Sequence, residues 1–419
     1  MSDTFEYFDE LETRDPDQRE RAQFDALAEQ LANAKASAPG FTEILKGIEP
    51  QDVTNRAALA KLPIVRKSEL IERQKKLFEG HDPFGGLTAV KTGRLARIFA
   101  SPGPIYDPEA MRPDYWRLAR ALFGAGFRRG DVIHNSFAYH LTPAGSMLES
   151  GCHALGCAVV PAGTGNMELQ VRTIADVKPR GYTGTPSFLK ILLEKGRELG
   201  VDMKSMKRGL VSGEALPPSL RNDIEATGVK VRQCYASADL GLIAYETVVG
   251  EGMVADEWII VEIVRPGTGD PVAEGEVGEV VITTLNPDYP LIRFATGDLS
   301  AVMLGMSPCG RTNVRLKGWM GRADQTTKVK GMFVHPGQVA EVMKRHKFAG
   351  RYRLVVSNVD ANDVMTLKCE VTSGRDDALA AKIAETLQAV TKMRGTVEIF
   401  APGTLPNDGK VIEDTRKYD

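Results

Sequence analysis

The sequence predicts an α/β protein, with a large N-terminal α/β domain that includes a β-rich subdomain and a small C-terminal α+β domain. Short apolar strands alternate with helical patterns from about residue 95 to 235, which is typical of a layered α/β sheet. Beyond Leu240 the pattern changes to strands separated by Gly/Pro turns. A Gly- and Arg-rich break at Leu316–Asp324 then precedes about 95 residues, a length typical of a separate small domain.

The N-terminal part is predicted to begin with helices and to continue as strand–helix units. Apolar residues at helical spacing from Phe24 to Ala34 indicate a helix that ends near residues 38–40. Leu62–Val65 is predicted to be extended and to lead into a helix that Ser68 caps. The units that follow are predicted as strands at 131–135, 157–161, 181–183 and 208–212, with helices at 143–155, 167–177 and 187–199.

The remaining part is predicted to be β-rich and then α+β. A Gly/Pro turn joins two apolar strands at 258–264 and 278–284. Pro336 is a suitable first residue for a helix. Alternating apolar residues at 365–371 indicate a half-buried strand. A helix at 376–393 and a strand at 397–400 complete the predicted small domain.

The composition argues against several classes of protein. The chain has 53 Lys and Arg against 55 Asp and Glu, a net charge of -2, so it lacks the electrostatic footprint of a protein that binds nucleic acid or an anionic membrane. The first twenty residues are acidic and polar, unlike a signal or transit peptide, and no apolar run approaches the ~20 residues of a membrane helix. Five scattered cysteines favour a reducing compartment. We therefore expect a cytoplasmic protein that handles a small-molecule ligand.

Four short segments in a fixed order carry the functional signal. None of these segments is a specific functional signal by itself, whereas all four in this order form a specific one. A zinc-spaced Cys/His cluster, a Gly-x-Ser-x-Gly turn and an intact Walker-type loop are all absent from the sequence. The four segments are Tyr289–Asp298 (YPLIRFATGD), Gly321–Asp324 (GRAD), Val329–Gly331 (VKG) and Leu405–Lys410 (LPNDGK).

This series resembles the ANL adenylate-forming superfamily, and within it the phenylacetate–CoA ligase-like acyl-CoA synthetases. Leu62–Leu70, Leu155–Pro161, Thr185–Ser187 and Cys309–Thr312 also match that branch, so the resemblance covers nearly the whole chain. It implies an ATP-dependent ligase that converts an aromatic or small hydrophobic carboxylate to an acyl-adenylate and transfers the acyl group to coenzyme A. It also implies ATP/AMP, Mg²⁺ and coenzyme A as cofactors. The implied domains are an AMP-binding domain at 1–320 and a rotating lid at 321–419. Relatives often dimerise, and the sequence leaves the oligomeric state open.

The resemblance implies a set of nucleotide-binding residues. Tyr235 would stack on the adenine, with a buried core tyrosine as an equal alternative. Asp298 would accept hydrogen bonds from both ribose hydroxyls, because a carboxylate is an acceptor only; a turn-capping role is the alternative. Arg322 would face the ribose or a phosphate, unless it belongs to a solvated charged loop. The implied residues are Ser212, Gly213, Glu214, Ala215, Tyr235, Ala236, Ser237, Asp298 and Arg322 for the nucleotide, and Lys330 and Gly331 for coenzyme A.

Catalytic and substrate roles also follow from the resemblance. Lys410 would bridge the acyl carboxylate and the α-phosphate during adenylation; the alternative is an ordinary exposed tail lysine. Asp239 replaces the Glu that helps to hold Mg²⁺ in the family and keeps a hard oxygen ligand. Asp324 is the implied hinge. Tyr139, Ala215 and Ser237 are the implied acyl-pocket residues, while the neighbouring His140 is as compatible with a structural role as with a catalytic one.

Two segments depart from the family pattern. Ser101–Tyr106 stands where the family has a Ser/Thr/Gly phosphate loop followed by Lys, and its two prolines remove backbone N–H donors. This leaves an alternative function, a repurposed member that binds a nucleotide or acyl ligand without ATP-dependent ligation. Cys309 lacks the partners that hold a structural zinc in some relatives, because a lone Cys cannot complete a tetrahedral site. We therefore predict that the protein holds no zinc.

Overall fold

The chain forms two compact units in this computed structural model. The structure describes residues 5–77, 82–101, 104–329, 332–347, 350–359, 362–372, 376–407 and 410–416. The first unit extends to Val264 and adds Gly269–Thr296 and Ala301–Trp319, whereas the second contains Arg265–Thr268, Gly297–Ser300 and the chain from Met320. Two short segments that precede Met320 in the sequence therefore belong to the second unit.

Nine α-helices lie in the described part of the first unit. α1 begins where the Asp15 side chain accepts a hydrogen bond from the Gln18 amide and Pro16 occupies the first helical position, both of which favour a helix start. The predicted helices are present, and that at 167–177 has the predicted bounds. The predicted cap at Ser68 is wrong, because Ser68 lies within the 3₁₀ helix Lys67–Glu69 that directly precedes the α-helix Leu70–Leu77. The helices are α1 (Pro16–Ser37), α2 (Pro39–Ile44), α3 (Arg56–Leu59), α4 (Leu70–Leu77), α5 (Leu118–Gly124), α6 (Ala144–Leu155), α7 (Met167–Val177), α8 (Pro186–Glu198) and α9 (Pro218–Glu225).

Fifteen strands begin in the first unit within the described ranges. One of them, β13, starts in the first unit and continues into the second, to which its residues from Gly297 belong. The strands are β1 (Val65–Arg66), β2 (Leu95–Ser101), β3 (Ile105–Ala110), β4 (Val132–Asn135), β5 (Ala158–Pro161), β6 (Gly181–Gly184), β7 (Arg208–Val211), β8 (Lys230–Ser237), β9 (Gly241–Glu246), β10 (Met253–Ala255), β11 (Ile259–Val264), β12 (Gly278–Thr284), β13 (Phe294–Ser300), β14 (Val302–Met303) and β15 (Arg315–Leu316).

A nine-stranded mixed sheet dominates the first unit, in the order β14-β15-β10-β9-β8-β7-β6-β4-β5. Strands β4 to β8 are parallel, and the strands beyond β8 are antiparallel. The strand order reverses at β4, which lies between β5 and β6. Ligands of such sheets bind outside the carboxyl ends of the strands near this point. A four-stranded sheet, β1-β13-β12-β11, and the β2–β3 hairpin complete the unit.

Close packing of the helices on this sheet forms the core. Most of the buried apolar side chains of the first unit fall into three clusters. Trp116 and Phe127 are among the most buried, and each large apolar side chain contributes ~1.5–3 kcal/mol when fully buried. At the start of β6 a Cβ on Gly181 would lie 1.9 Å from the Phe127 ring. Only glycine therefore fits there.

The second unit is a small α+β domain, as predicted. Its four-stranded sheet has the order β20 (Thr396–Phe400), β19 (Asn362–Glu370), β18 (Tyr352–Val359) and β21 (Ile412–Asp414), with β18 and β19 antiparallel. Met365, Leu367 and Cys369 are buried, which confirms the predicted alternation. Of the described helices in the chain, none is both long and apolar enough to cross a bilayer. The elements are β16 (Thr327–Val329), β17 (Met332–Val334), α10 (Pro336–Arg345), β18 (Tyr352–Val359), β19 (Asn362–Glu370), α11 (Asp377–Thr391), β20 (Thr396–Phe400) and β21 (Ile412–Asp414).

Asp114, just before α5, makes the stability of the first unit depend on pH. Its carboxylate accepts hydrogen bonds from the Ala119 amide at 3.2 and 3.3 Å, yet burial raises its pKa from 3.8 to about 7. The folded state therefore binds a proton that the unfolded state releases, and its stability falls as pH rises from about 4 to about 7. The loss is at most roughly 4 kcal/mol.

Asp114→Asn should remove this dependence, because the amide oxygen can still accept a hydrogen bond but does not titrate. We expect the variant to be more stable than wild type at pH 8, with the difference shrinking toward pH 4. All three tryptophans belong to the first unit, so their fluorescence during urea unfolding measures this unit alone. The exposed Asp202 is the control for Asp→Asn replacement. Parallel stability curves for wild type and Asp114→Asn would refute this interpretation.

Candidate active site

Two predicted nucleotide-binding segments meet at the carboxyl ends of β6, β7 and β8. Ser212, directly after β7, donates its hydroxyl to the Cys234 carbonyl of β8 at 2.8 Å and its amide to the Gly184 carbonyl of β6 at 3.2 Å. The following residues, Gly213, Glu214 and Ala215, are exposed. The predicted adenine segment therefore lies at the sheet edge where ligands bind in this class of fold.

The second segment, Tyr235–Ser237, lies on β8 and is half-buried. The Tyr235 ring packs partly against a core cluster, and its hydroxyl is 3.3 Å from the Thr296 hydroxyl. Tyr235 thus has core contacts while part of it remains accessible. The Ser237 hydroxyl accepts a hydrogen bond from the Leu240 amide at 3.2 Å. This geometry is compatible with adenine stacking and also with a structural role, so the role of Tyr235 stays a prediction.

Asp239 lies in the turn between β8 and β9, and its side chain is fully buried. Its Oδ2 pairs with the Lys67 ammonium at 2.5 Å, whereas its Oδ1 has no hydrogen-bond partner among the described residues. The Lys67 side chain is 29% exposed, so the lysine forms the accessible side of the pair. A buried carboxylate oxygen without a donor is costly, so Asp239 stays a candidate for binding a ligand.

Asp107 on β3 adds a second buried carboxylate beside this pair. Neither of its side-chain oxygens makes a hydrogen bond of good geometry in the described ranges, although the Ser101 hydroxyl and the Asp239 carboxylate act on it at close range. Burial, and then the nearby Asp239 carboxylate, raise the pKa of Asp107 well above its ordinary value. The buried Tyr289 hydroxyl also lacks a partner there, and burial followed by the two carboxylates raises its pKa. We call Lys67, Asp107, Asp239 and Tyr289 the carboxylate cluster.

Sequence reasoning assigned no role to Lys67 or Asp107. Lys67 lies within Leu62–Leu70, a segment that the resemblance covered without indicating its function. Asp107 directly follows the altered phosphate loop, and an acid within a short strand is itself unusual, since Asp is depleted in strands. That depletion was the available signal for Asp107.

The altered phosphate loop joins β2 to β3. Ser101 pairs with Ile105 across the hairpin, and its buried hydroxyl donates to the Ile105 carbonyl at 3.2 Å. Pro102 and Gly103 lie outside the described residues. The hydroxyl that could have contacted a phosphate is therefore engaged within the hairpin.

Tyr139 is held in place beyond the carboxyl end of β4. Its hydroxyl donates to Glu149 of α6 at 2.8 Å and accepts a hydrogen bond from Asn135 at 2.8 Å. Burial, followed by the Glu149 contact, raises the pKa of this phenol. Because the hydroxyl is engaged on both sides, the ring is the part that remains for contact with an acyl group. His140 beside it is exposed.

Arg293, within the predicted motif Tyr289–Asp298, has a structural role. It is buried and forms two contacts with the Glu262 carboxylate, at 3.0 and 3.1 Å. It also donates to the carbonyls of Ala60 and Leu62 at 2.7 Å each. These bonds fix the start of β13 to β11 and to the segment that follows α3, so the motif contains a structural residue as well as the predicted ligand-binding Asp298.

In the second unit, Asp298 and Arg322 lie together. The Arg322 guanidinium donates to Asp298 Oδ1 at 3.0 Å, and the two residues form an isolated antiparallel bridge. Gly297 has φ +76, and a Cβ there would lie 2.7 Å from the Arg322 guanidinium. Glycine therefore permits the close approach. Two residues that the sequence analysis took from separate motifs thus form one charged pair.

The other predicted residues of the second unit are described only in part. Asp324 lies in a short 3₁₀ helix, Ala323–Gln325. Lys330 and Gly331 lie outside the described residues. Lys410 is exposed, and its backbone carbonyl accepts a hydrogen bond from Arg353 at 3.3 Å. Their predicted roles stay predictions.

Cys309, the candidate remnant of a zinc site, is held by polar neighbours. Its thiol is 3.1 Å from the Ser307 hydroxyl and 3.2 Å from that of Thr247. Although burial raises it, these hydrogen bonds and those of Arg311 leave the pKa of the thiol below its ordinary value. Within the described ranges, no group of three or more Cys, His, Asp or Glu side chains is placed to bind a metal.

Comparison with known proteins gives consistent matches. Residues 127–286 match the family of AMP-binding enzymes, and residues 331–416 match the AMP-binding enzyme C-terminal domain. The phenylacetate-coenzyme A ligase of Thermus thermophilus is 31% identical over 386 residues, covering 87% of this chain and 84% of that protein. The same-named enzyme of Aromatoleum evansii is 29% identical, covering 94% and 92%. The crystal structure of an open conformation of 2-hydroxyisobutyryl-CoA ligase is similar in fold, with a TM-score of 0.83, 24% identity and 96% and 93% coverage.

Proposed function

The chain belongs to the AMP-binding enzymes, in the branch of the phenylacetate–CoA ligases, and from this membership we propose that it is an AMP-forming carboxylate–CoA ligase. It activates an aromatic or small hydrophobic acid with ATP and transfers the acyl group to coenzyme A. In this proposal the first unit is the AMP-binding domain and the second is the lid. The oligomeric state, including a homodimer, stays a prediction.

The junction between β7 and β8 is the observation that carries the proposal. The Ser212–Cys234 hydrogen bond of 2.8 Å brings the predicted adenine segment beside the strand that carries Tyr235. Both segments lie at carboxyl ends of parallel strands, where this class of fold binds nucleotides. The turn after the same strand carries the buried Asp239. The proposed adenine-binding segments and the proposed metal ligand Asp239 therefore lie at one sheet edge.

The carboxylate cluster is the magnesium site that we propose. Asp107 and Asp239 supply three buried oxygens that make no hydrogen bond of good geometry in the described ranges, and carboxylates are ligands that Mg²⁺ prefers. We propose that Asp239, with Asp107, would hold the ion. Bound Mg²⁺ supplies positive charge against phosphate oxygens. These contacts between the ion and the phosphates would replace part of the phosphate binding that the altered loop lacks.

The residues of the chain have separate roles in the two half-reactions. In the first, the substrate carboxylate attacks the α-phosphorus and pyrophosphate leaves. The Lys410 ammonium stabilises the negative charge that develops between these groups. Asp298 accepts hydrogen bonds from the ribose hydroxyls. Arg322 donates a hydrogen bond to Asp298 and thereby holds the orientation of this carboxylate. Before the second half-reaction, the lid rotates about Asp324 and turns Lys330 and Gly331 toward coenzyme A. The thiol of coenzyme A then attacks the acyl carbonyl and AMP leaves.

Tyr139, Ala215 and Ser237 are the proposed acyl-pocket residues. The fixed Tyr139 ring offers an apolar surface, while the exposed Ala215 adds little bulk. A planar aromatic acid matches an aromatic wall, because offset stacking and edge contacts add to apolar burial. These contacts favour an aromatic carboxylate over a long aliphatic one.

Acid-dependent exchange of pyrophosphate into ATP tests the function. The panel contains phenylacetate, benzoate, 2-hydroxyisobutyrate and a long-chain fatty acid, each with ATP and Mg²⁺. We expect exchange with at least one small acid, strongest for an aromatic one, and thioester formation with the same acid. Exchange with none of the acids, together with retained AMP binding, would instead support a binding protein without ligase activity. The altered loop is the feature behind that alternative, and nothing in the comparisons favours it.

A further inference from the structure

A cavity of about 490 Å³ lies at the amino-terminal ends of β6, β7 and β8, the sheet edge opposite the candidate active site. Seven of the side chains that line it are cationic and one, Glu6, is acidic. We call it the basic cavity. The six cationic residues on which the argument depends are Arg128, Arg180, Lys207, Arg208, Lys230 and Arg232.

The starts of three neighbouring strands bring four of these cations side by side, namely Arg180, Lys207, Arg208 and Lys230. The Lys207 amide donates to the Arg180 carbonyl at 2.8 Å, and the Lys230 amide donates to the Lys207 carbonyl at 3.0 Å. Arg208 is also in register with Lys230. Adjacent strands are ~4.8 Å apart, and like charges at such positions repel one another. The arrangement is therefore unfavourable without an anion.

Some of the positive charge is already neutralised. Arg128 pairs with Glu6 and lies 3.8 Å over the Phe123 ring. The Arg180 guanidinium is 3.5 Å from the Asp131 carboxylate. These two cations hold their own counter-charges.

The other four cations form no ion pair in the described part of the chain, and of these Arg208 is attracted by the Asp131 and Glu6 carboxylates. The four are Lys207, Arg208, Lys230 and Arg232, and Arg232 donates to the carbonyls of Thr247 and Val231. Burial, and then repulsion by Arg180, lower the pKa of Arg208. The cavity thus concentrates positive charge that Glu6 and Asp131 compensate only in part.

We propose that the basic cavity binds a polyphosphate anion, free or as the phosphate chain of a nucleotide, at a site separate from adenylation. Its volume is in the range of small-molecule pockets, and Arg and Lys are the side chains that bind phosphate. The net charge of the whole chain is only -2, so the positive charge is local, unlike that of a typical nucleic-acid-binding protein. The proposal does not rest on the ligase function.

Calorimetric titration of the full chain with inorganic tripolyphosphate tests it. Saturating AMP and EDTA keep the probe from the adenylate site and from Mg²⁺. We expect one binding site, weakened about 10- to 100-fold in Lys230→Gln and in Arg208→Gln, since each removes one charge-assisted contact. Arg129→Gln, an exposed arginine beside the cavity that does not line it, is the matched control and should bind as wild type does. Titrations with pyrophosphate and with GTP then distinguish a free anion from a nucleotide.

Thermal unfolding shows whether each variant folds, so that weaker tripolyphosphate binding is not confused with unfolding. Lys230 is exposed, so Lys230→Gln should fold, with an unchanged or higher Tm because repulsion is reduced. The proposal is overturned if tripolyphosphate does not bind, or if Lys230→Gln binds it as tightly as wild type. Equal weakening in Arg129→Gln would also overturn it, since the binding would then be diffuse. Tighter binding of an oligonucleotide with the same dependence on Lys230 would replace the proposal by a nucleic-acid site.

Discussion

Lys410→Ala should lower acid-dependent ATP–pyrophosphate exchange about 10²- to 10³-fold, the loss typical of removing one donor that stabilises a developing charge. Thioester formation from preformed acyl-adenylate and coenzyme A should remain close to wild type. The reason is that the ammonium acts on the charge shared by the attacking carboxylate and the α-phosphate, a charge that does not develop in the second half-reaction. Exchange assays and single-turnover thioester assays on the same preparation measure the two steps.

Two variants make this result specific. Lys410→Arg keeps the positive charge but changes its geometry, and it should recover part of the exchange activity. Lys417→Ala removes another lysine near the C-terminus and should leave both steps unchanged. Equal losses of exchange and thioester formation in Lys410→Ala would contradict the role proposed for this residue. Loss in Lys417→Ala would show that the charge of the C-terminal segment matters rather than one ammonium.

Asp239→Asn should weaken metal binding in the presence of ATP and lower exchange by about 100-fold or more, since losing even an outer-shell partner of a metal ligand costs about 10- to 100-fold. The replacement keeps the size of the side chain and removes the negative charge that pairs with the Lys67 ammonium at 2.5 Å. Mn²⁺ binding, followed by electron paramagnetic resonance, measures the site without requiring turnover. Asp107→Asn should weaken Mn²⁺ binding about tenfold, because its carboxylate is the second proposed ligand.

The carboxylate pair can be separated from its lysine. Lys67→Met removes the ammonium and keeps an apolar stem of similar length. It should change Mn²⁺ affinity much less than Asp239→Asn does, since Lys67 is not a proposed ligand. Asp202→Asn is the control for loss of a carboxylate elsewhere in the first unit, where Asp202 accepts a hydrogen bond from the Lys204 amide. Unchanged Mn²⁺ affinity in both Asp107→Asn and Asp239→Asn would rule out the proposed magnesium site.

Local pattern was sufficient for most of the fold. The helix at 167–177 and the strand at 278–284 have the predicted bounds, because amphipathic periodicity and turn residues act over a few positions. The motif series was likewise sufficient for the family, since it depends on order along the chain. Neither source of information contains distances between segments.

The candidate site depends on distances between segments that are far apart in the sequence. Lys67 and Asp239 are 172 positions apart, and Asp298 and Arg322 are 24 apart, yet each pair is in direct contact. Arg293 belongs to the same motif as Asp298 and is nonetheless a buried structural residue. Sequence alone predicted the residue types near the nucleotide but not which of them contact one another.

By itself, the sequence determined the fold class, the family and the candidate residues, because these depend on local periodicity and on ordered motifs. Only the tertiary structure decided that Asp107 is buried beside Asp239, and that Lys207, Arg208 and Lys230 meet at one sheet edge. The physical reason is that burial and electrostatic coupling are properties of packed strands. The charge of a side chain can be read in the sequence, whereas its nearest counter-charge depends on which strands pair and in what register.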